Sequence, residues 1–230
     1  MSKPQFSRLV HETEFYFLRH GNSEANSAGI YQGRHNSALS ALGREQASQT
    51  GGWFAEHEIT RVFCSPLIRA AETAQIVTAR ADLPQPESLD ELIEIDIGLF
   101  SNMAPDEIQQ RYPEDWKQFQ RRSWEAVPKA ESIASLRERV AALWERLIDE
   151  ANAGEHRRIL CVSHGGFMQW IVKATFGTLD HWLPLVKISN CGIFRYRAKP
   201  VDAEHAYGIW DIFNHRALNG SAEADLSRLG

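Results

Sequence analysis

Short apolar runs alternate with amphipathic stretches along most of this chain. Residues 14–18 contain Phe15-Tyr16-Phe17-Leu18, a continuous apolar run of strand length. Residues 60–64 read the same way. So do residues 158–163, Arg158-Ile159-Leu160-Cys161-Val162-Ser163, a strand buried on both faces. Residues 192–197 and 207–213 give two later strands. Between these runs the period lengthens to that of a helix. The stretch 41–57 follows Ser40, a good N-cap. The stretch 66–80 follows Ser65 as N-cap, with Pro66 at the first helical position. The clearest helical period lies in 133–150, where Ile133, Leu136, Val140, Leu143 and Leu147 recur at three- and four-residue spacing. Ser135 and Glu138 are spaced as a capping box near its start. This alternation predicts an α/β fold of three layers, a mostly parallel central sheet with helices on both faces.

Residues 98–131 break the pattern. Pro105, Pro113 and Pro128 punctuate a mixture of aromatic and charged residues that includes Tyr112, Trp116, Phe119 and Trp124. We read it as a helical cap insertion over the C-terminal edge of the sheet. The partition is then an N-terminal extension over 1–13, one domain over 14–215, and a polar, Ala-rich tail over 216–230 expected to be loosely ordered. There is no internal repeat, and 230 residues suit a single α/β domain.

Charge and cysteine content narrow the class. A net charge of -5 argues against a nucleic-acid surface. Cys64 and Cys161 fall in predicted strands and Cys191 borders one, and the three form no disulfide framework, which suits a reducing compartment. Residues 1–14 lack the apolar centre of a signal peptide, and no apolar stretch approaches membrane-spanning length. The expectation is a cytoplasmic protein with no membrane partner; a homodimer is compatible with it.

Candidate chemistry gathers at predicted strand ends, where open α/β sheets bind ligands. Arg19-His20-Gly21 follows the first strand, with Ser23 and Asn26 close behind. Ser65-Pro66-Leu67 and Arg69 follow the second. Ser163-His164-Gly165-Gly166 follows the buried strand, and an acidic segment carries Asp90, Glu91, Glu94 and Asp96. Two arginines, two histidines and a carboxylate suit phosphoryl transfer without a metal or other cofactor: arginines neutralise phosphoryl oxygens, and a neutral imidazole can attack phosphorus. The residues alone do not choose among the four acids.

These blocks resemble the histidine phosphatase superfamily, the group that includes cofactor-dependent phosphoglycerate mutases and many small-molecule phosphatases. The resemblance rests on Arg19-His20-Gly21, on Gln32-Gly33 with Leu39-Ser40 and Gly43, and on Ser65-Pro66-Leu67 with Arg69-Ala70 and Glu72-Thr73-Ala74. Leu92 with Glu94 and Gly98, and Ser163-His164-Gly165-Gly166, complete it. Asn190-Cys191-Gly192 is a fainter echo. The resemblance implies His20 as nucleophile, Arg19 and Arg69 as phosphate clamps, and His164 as a group stabilising the transferring phosphoryl. It selects Glu94 as general acid and base. Asn26, Gln32, Gly33 and Gly165 join the substrate-binding set, Gly165 by letting a helix-start N–H approach phosphate. The implied substrate is a small-molecule phosphomonoester. Asn36, Asn102 and Ala130 depart from the family pattern, and they bear on pocket shape rather than chemistry.

Three rivals are weighed. Arg121-Arg122-Ser123-Trp124 resembles an Arg-Arg-Ser-Tyr stretch near the substrate carboxylate of mutases, but Ala25 and Ile97 replace mutase aromatics. Cys64 and Arg69 nearly match a thiol phosphatase loop but are one residue too close, so Cys64 reads as a strand-end hydrophobe. A binding module without catalysis would not need every core position filled. Neither HExxH nor Cys-x-x-Cys spacing occurs, and His11, His57, His156, His205 and His215 read as solvated or structural.

Overall fold

The computed structural model describes residues 4–154, 157–180, 182 and 184–219. Its order is β1 (Thr13–Arg19), α1 (Glu24–Ser27), α2 (Ala41–Phe54), β2 (Arg61–Cys64), α3 (Ile68–Ala81), β3 (Glu87–Ser88), α4 (Pro105–Arg111), α5 (Pro113–Arg122), α6 (Ile133–Ala153), β4 (Arg158–Ser163), α7 (Gly165–Phe176), β5 (Ile193–Pro200) and β6 (Ala206–His215). The sheet runs β3-β2-β4-β1-β5-β6. Its first four strands are parallel, and β5 and β6 add an antiparallel edge.

Both faces of this sheet are covered, which is why its central strands read as unbroken apolar runs. Side chains alternate across a strand. Phe15 and Phe17 of β1, with Ile159 and Cys161 of β4, join a core with Leu143, Leu147 of α6 and Ile171 of α7. Tyr16 and Leu18, with Leu160 and Val162, face the opposite core containing Phe54 of α2 and Val77 of α3. The α6 stripe is buried at Leu136, Val140, Leu143 and Leu147, as its period predicts.

Several boundaries differ from the sequence reading. Helix α3 starts at Ile68, not Pro66, and Ser65 is not its N-cap. The first helical N–H, on Ile68, is instead taken by Asn36 Oδ1 at 2.8 Å. Helix α6 is capped by Ser132, whose Oγ accepts from Ser135 N at 3.1 Å, so the Ser135–Glu138 box is not the cap. Strand β3 was not foreseen, because two exposed polar residues carry no hydrophobic signal. Before β1, Phe6 and Leu9 are buried in the main core, and Phe6 meets Trp144 edge-on at 5.2 Å. At the other end Leu218 is buried and Asn219 N donates to Gln49 Oε1 at 2.7 Å, so Arg216–Asn219 is packed rather than loose. The remainder of that tail, 220–230, and His156 lie outside the described residues. Among the described residues no helix is long and apolar enough to cross a membrane.

Register explains how distant sequence blocks meet. Arg19 pairs with Ser163 across β1 and β4, and Cys64 pairs with Val162 across β2 and β4. The parallel strands therefore deliver Arg19-His20, Ser65 and His164 to one end of the sheet. The segment 98–131 holds α4 and α5, packed around Phe100, Ile108 and Val127 with Tyr31 and Trp124 against them.

Candidate active site

A cavity of about 250 Å³ opens at that end, with Arg19, His20, Arg69 and Glu94 on its lining. Asn26, Gln32 and Gly33 line it too. The structure thus brings together most of the residues singled out by sequence.

Loop geometry around His20 depends on close backbone approach. A Cβ on Gly43, in the first turn of α2, would sit 1.9 Å from the Asn22 carbonyl oxygen, so a side chain there would push the His20 loop away. Thr73 Oγ1 accepts the Gly21 N–H at 3.0 Å and donates to the Arg69 carbonyl at 2.6 Å. Asn190 Nδ2 donates to the His20 carbonyl at 3.1 Å. His20 itself is 2 % exposed. Its Nδ1 lies 2.7 Å from the Gly21 carbonyl oxygen, a partner that can only accept, so Nδ1 carries the proton. Nε2 is then the lone-pair nitrogen, and Arg69 Nε donates to it at 3.2 Å. Burial, then the charges of Arg69 and Arg19, push the His20 pKa well below its usual 6.5, so the ring stays neutral.

Arg69 is buried on α3. Its two terminal nitrogens donate to the carbonyls of His35 and Gly33, each at 2.8 Å. Burial lowers its pKa to about 10, which still leaves it charged at neutral pH. Arg19 extends from the end of β1 and donates from one terminal nitrogen to the Ile188 carbonyl at 2.7 Å. His164 lies beside His20, ring centroids 5.1 Å apart, fully buried. Its Nε2 is 2.7 Å from Ser65 Oγ, while its Nδ1 is buried with no hydrogen-bond partner among the described residues. Burial and the neighbouring Arg69 lower its pKa well below 6.5 as well.

Glu94 is held at the start of α7. Its Oε1 accepts the N–H groups of Ile95 and Phe167, each at 2.9 Å, and its Oε2 accepts that of Gly166 at 3.2 Å. A helix start is a favourable seat for a carboxylate. Gly166 lines the cavity, and the N–H groups of Gly166 and Phe167 serve Glu94. Gly165 lets Arg19 pass, since a Cβ there would lie 3.2 Å from its Nε. The other acids lack such a place. Asp96 Oδ1 accepts from Gly98 N at 2.8 Å, and neither Asp90 nor Glu91 lines the cavity.

Asn26 turns its Oδ1 to Ser23 N, Ser23 Oγ and Asn190 Nδ2, which leaves its amide NH₂ for the cavity. Gln32 Oε1 also lies 3.0 Å from Ser23 Oγ, whose single proton goes to one or other of the Asn26 and Gln32 amide oxygens. Ser23 is therefore a structural cap of α1.

Sequence reasoning missed a group that holds the Glu94 loop. Arg139 of α6 donates to the carbonyls of Ile93 at 2.6 Å and Glu91 at 3.1 Å, and to both oxygens of buried Glu131 at 2.7 and 3.0 Å. Arg34 adds a bond to the Glu94 carbonyl at 3.1 Å. Only the inward helical position of a charged residue could have hinted at Arg139.

The alternatives fare differently. Arg121 and Arg122 are exposed at the end of α5, off the cavity lining, and Arg122 pairs with Glu125 at 3.4 Å. Cys64 is buried, and burial raises its thiol to about 11. No group of three His, Cys, Asp or Glu is placed to hold a metal ion among the described residues.

Fold and site together define an α/β architecture with two arginines, two histidines and a carboxylate gathered at one end of its sheet. The chain belongs to the histidine phosphatase superfamily (branch 1), whose family model matches residues 15–204. It is 31% identical over 182 residues to a glucosyl-3-phosphoglycerate phosphatase of Mycolicibacterium vanbaalenii, covering 75% of this chain and 79% of that one. It is 26% identical over 193 residues to 2-carboxy-D-arabinitol-1-phosphatase of Triticum aestivum; the match covers 83% of this chain but only 38% of that protein's length. The solved mycobacterial glucosyl-3-phosphoglycerate phosphatase shares the fold, with a TM-score of 0.75, 23% identity, and coverage of 88% of this chain and 99% of that one.

Proposed function

We propose that this protein is a metal-independent phosphatase that hydrolyses small-molecule phosphomonoesters through a phosphohistidine on His20. The observation that carries the proposal is the imidazole tautomer: Nδ1–H is bound to the Gly21 carbonyl, and the Nε2 lone pair stands beside Arg69 in the cavity. In the first step His20 Nε2 attacks phosphorus. The bond from phosphorus to the ester oxygen breaks, and Glu94 gives that oxygen a proton. In the second step water attacks phosphorus, its proton goes to Glu94, and the P–N bond breaks to release phosphate and neutral His20.

Arg19 and Arg69 bind the phosphoryl oxygens in both steps, and Asn26 adds an amide donor. Charge from two guanidinium groups replaces what a metal would supply. His164, its ring centre 5.1 Å from that of His20 and its Nε2 held 2.7 Å from Ser65 Oγ, stabilises the transferring phosphoryl group from beside the nucleophile. The mutase alternative loses support, since Arg121 and Arg122 do not reach the cavity lining. Three buried, free cysteines favour a cytoplasmic setting. The test is a rapid quench with ³²P-labelled p-nitrophenyl phosphate. An acid-labile, alkali-stable phosphoenzyme should form in the wild type and be absent in His20→Ala. Turnover by folded His20→Ala at the wild-type rate overturns the covalent route.

A further inference from the structure

The cavity lining carries two unlike sets of side chains: Arg19, His20, Arg69 and Glu94 with the amides Asn26 and Gln32, and an apolar wall of Ile30, Tyr31, Ile95, Ile97 and Trp124. Resting on the phosphatase reading, we propose that this wall is a leaving-group subsite selecting phosphomonoesters of small apolar or aromatic alcohols over phosphoglycerates and other esters with a second anionic group.

Charge placement carries the argument. The phosphoryl group uses Arg19 and Arg69, and the described lining holds no further cation. Arg34, the next arginine in the loop, is committed to Glu131 at 3.1 Å and to the Glu94 carbonyl at 3.1 Å, and it is not on the lining. Arg121 and Arg122 point their charge elsewhere, being exposed and off the lining. A carboxylate or second phosphate pressed on this wall would lose water without gaining a cationic partner.

The wall is also built in advance. Tyr31 meets Trp124 edge-on, centroids 5.4 Å apart and planes at 85°, and Trp124 lies 4.7 Å from Phe119 behind it. Tyr31 N donates to Met103 O, and Asn102 N donates to Tyr31 O, which ties the ring's backbone to the segment before α4. Burial raises the Tyr31 phenol, so it stays neutral. Ile95 and Ile97 are buried, whereas Ile30, Tyr31 and Trp124 are half-buried and keep apolar area for a ligand to cover. At about 250 Å³ the cavity lies below the roughly 300–1,000 Å³ of sites for drug-sized ligands, so one ring or a short chain beside the phosphoryl group fills it.

The test compares kcat/KM for benzyl phosphate, glycerol 3-phosphate and 3-phosphoglycerate. All three are alkyl esters whose leaving oxygen needs protonation, so they differ mainly in what meets the wall. Benzyl phosphate should exceed each of the others by about tenfold or more. Trp124→Ala should reduce that preference several-fold, and Ile30→Ser, at a half-buried position, should reduce it if Trp124→Ala does not fold. Equal or better turnover of 3-phosphoglycerate by the wild type overturns the proposal, as does an undiminished preference in both variants. Failure of the phosphatase reading looks different: no hydrolysis of any ester, p-nitrophenyl phosphate included, and no phosphoenzyme, which ends both.

Discussion

Arg69 Nε lies 3.2 Å from His20 Nε2, so a cation touches the nitrogen that attacks phosphorus. The contact orients the imidazole, keeps it unprotonated, and places a guanidinium where phosphoryl oxygens arrive. Its other two nitrogens are fixed on the carbonyls of Gly33 and His35, so the group is rigid before substrate binds. Arg69→Lys keeps a charge but loses the planar fork. It should lower kcat/KM by on the order of 10²-fold, the scale of losing one transition-state donor. It should also move the His20 titration, because the contact to Nε2 and the fork's fixed placement go. Steady-state kinetics with a thermal melt as fold control, and NMR titration of His20, check both parts.

Acid should unfold this protein earlier than its carboxylates alone require. His20 and His164 are buried, with pKa values pushed well below 6.5 by burial first and nearby arginines second. In the unfolded chain both take protons near 6.5; in the folded chain neither does until lower pH. Unfolding therefore binds protons, and stability falls as pH drops below about 6.5 and goes on falling to the folded values, by up to about 1.4 kcal/mol per pH unit for each histidine. Urea melts at pH 7, 6 and 5 should show this slope. A flat stability from pH 7 to 5 contradicts it, and His164→Asn should remove about half of it.

Much of this was legible in the chain because it follows from short-range pattern. Phe15 to Leu18 spell a strand and Ile159 to Val162 a buried one, and the α6 stripe spells a helix and its buried face. Arg19, His20 and Arg69 were found because each sits beside a strand end, and parallel register then fixes their meeting. What was not legible depends on contacts between distant segments. Asn36 caps α3 across the fold, which no spacing predicts. Gly166 and Phe167 hand their N–H groups to Glu94, so part of the helix start serves the acid. Arg139 sits at an inward helical position, but its partners are the Glu91–Ile93 backbone and Glu131 and its guanidinium lies 3.9 Å from the Phe167 ring centre, contacts that no spacing along the chain announces.

Arg139 gives a prediction of its own. It joins Glu131 to the backbone at Glu91 and Ile93, immediately before Glu94. Arg139→Ala strands a carboxylate that is 6% exposed, with Arg34 as its remaining ion-pair partner. The variant should lose about 3 kcal/mol of stability, at the low end for breaking a buried ion pair. It should also loosen Glu94, so kcat on alkyl phosphates should fall more than kcat on p-nitrophenyl phosphate, with KM little changed. Equal losses on both substrates would make Arg139 structural only.

Glu94→Gln isolates proton transfer from the rest of the site. An alkyl ester departs as an alkoxide unless its oxygen is protonated, whereas p-nitrophenolate leaves with little help. Glutamine keeps the volume but cannot give the proton. Its amide oxygen can replace Oε1 and keep the Ile95 and Phe167 bonds, and its NH₂ then faces the Gly166 N–H, donor against donor. That mismatch should cost about 1–3 kcal/mol of stability, seen as a lower melting temperature with the fold retained. Benzyl or glycerol phosphate turnover should collapse, while p-nitrophenyl phosphate should still form phosphohistidine. Hydrolysis of that intermediate needs water activated by the same carboxylate, so phosphoenzyme should accumulate and give a burst of nitrophenolate followed by a slow steady state. Parallel loss on both substrate classes, with no trapped intermediate, would remove Glu94 from the acid–base role. Asp96, two residues beyond Glu94 and accepting the Gly98 N–H at 2.8 Å, would then be the acid to test.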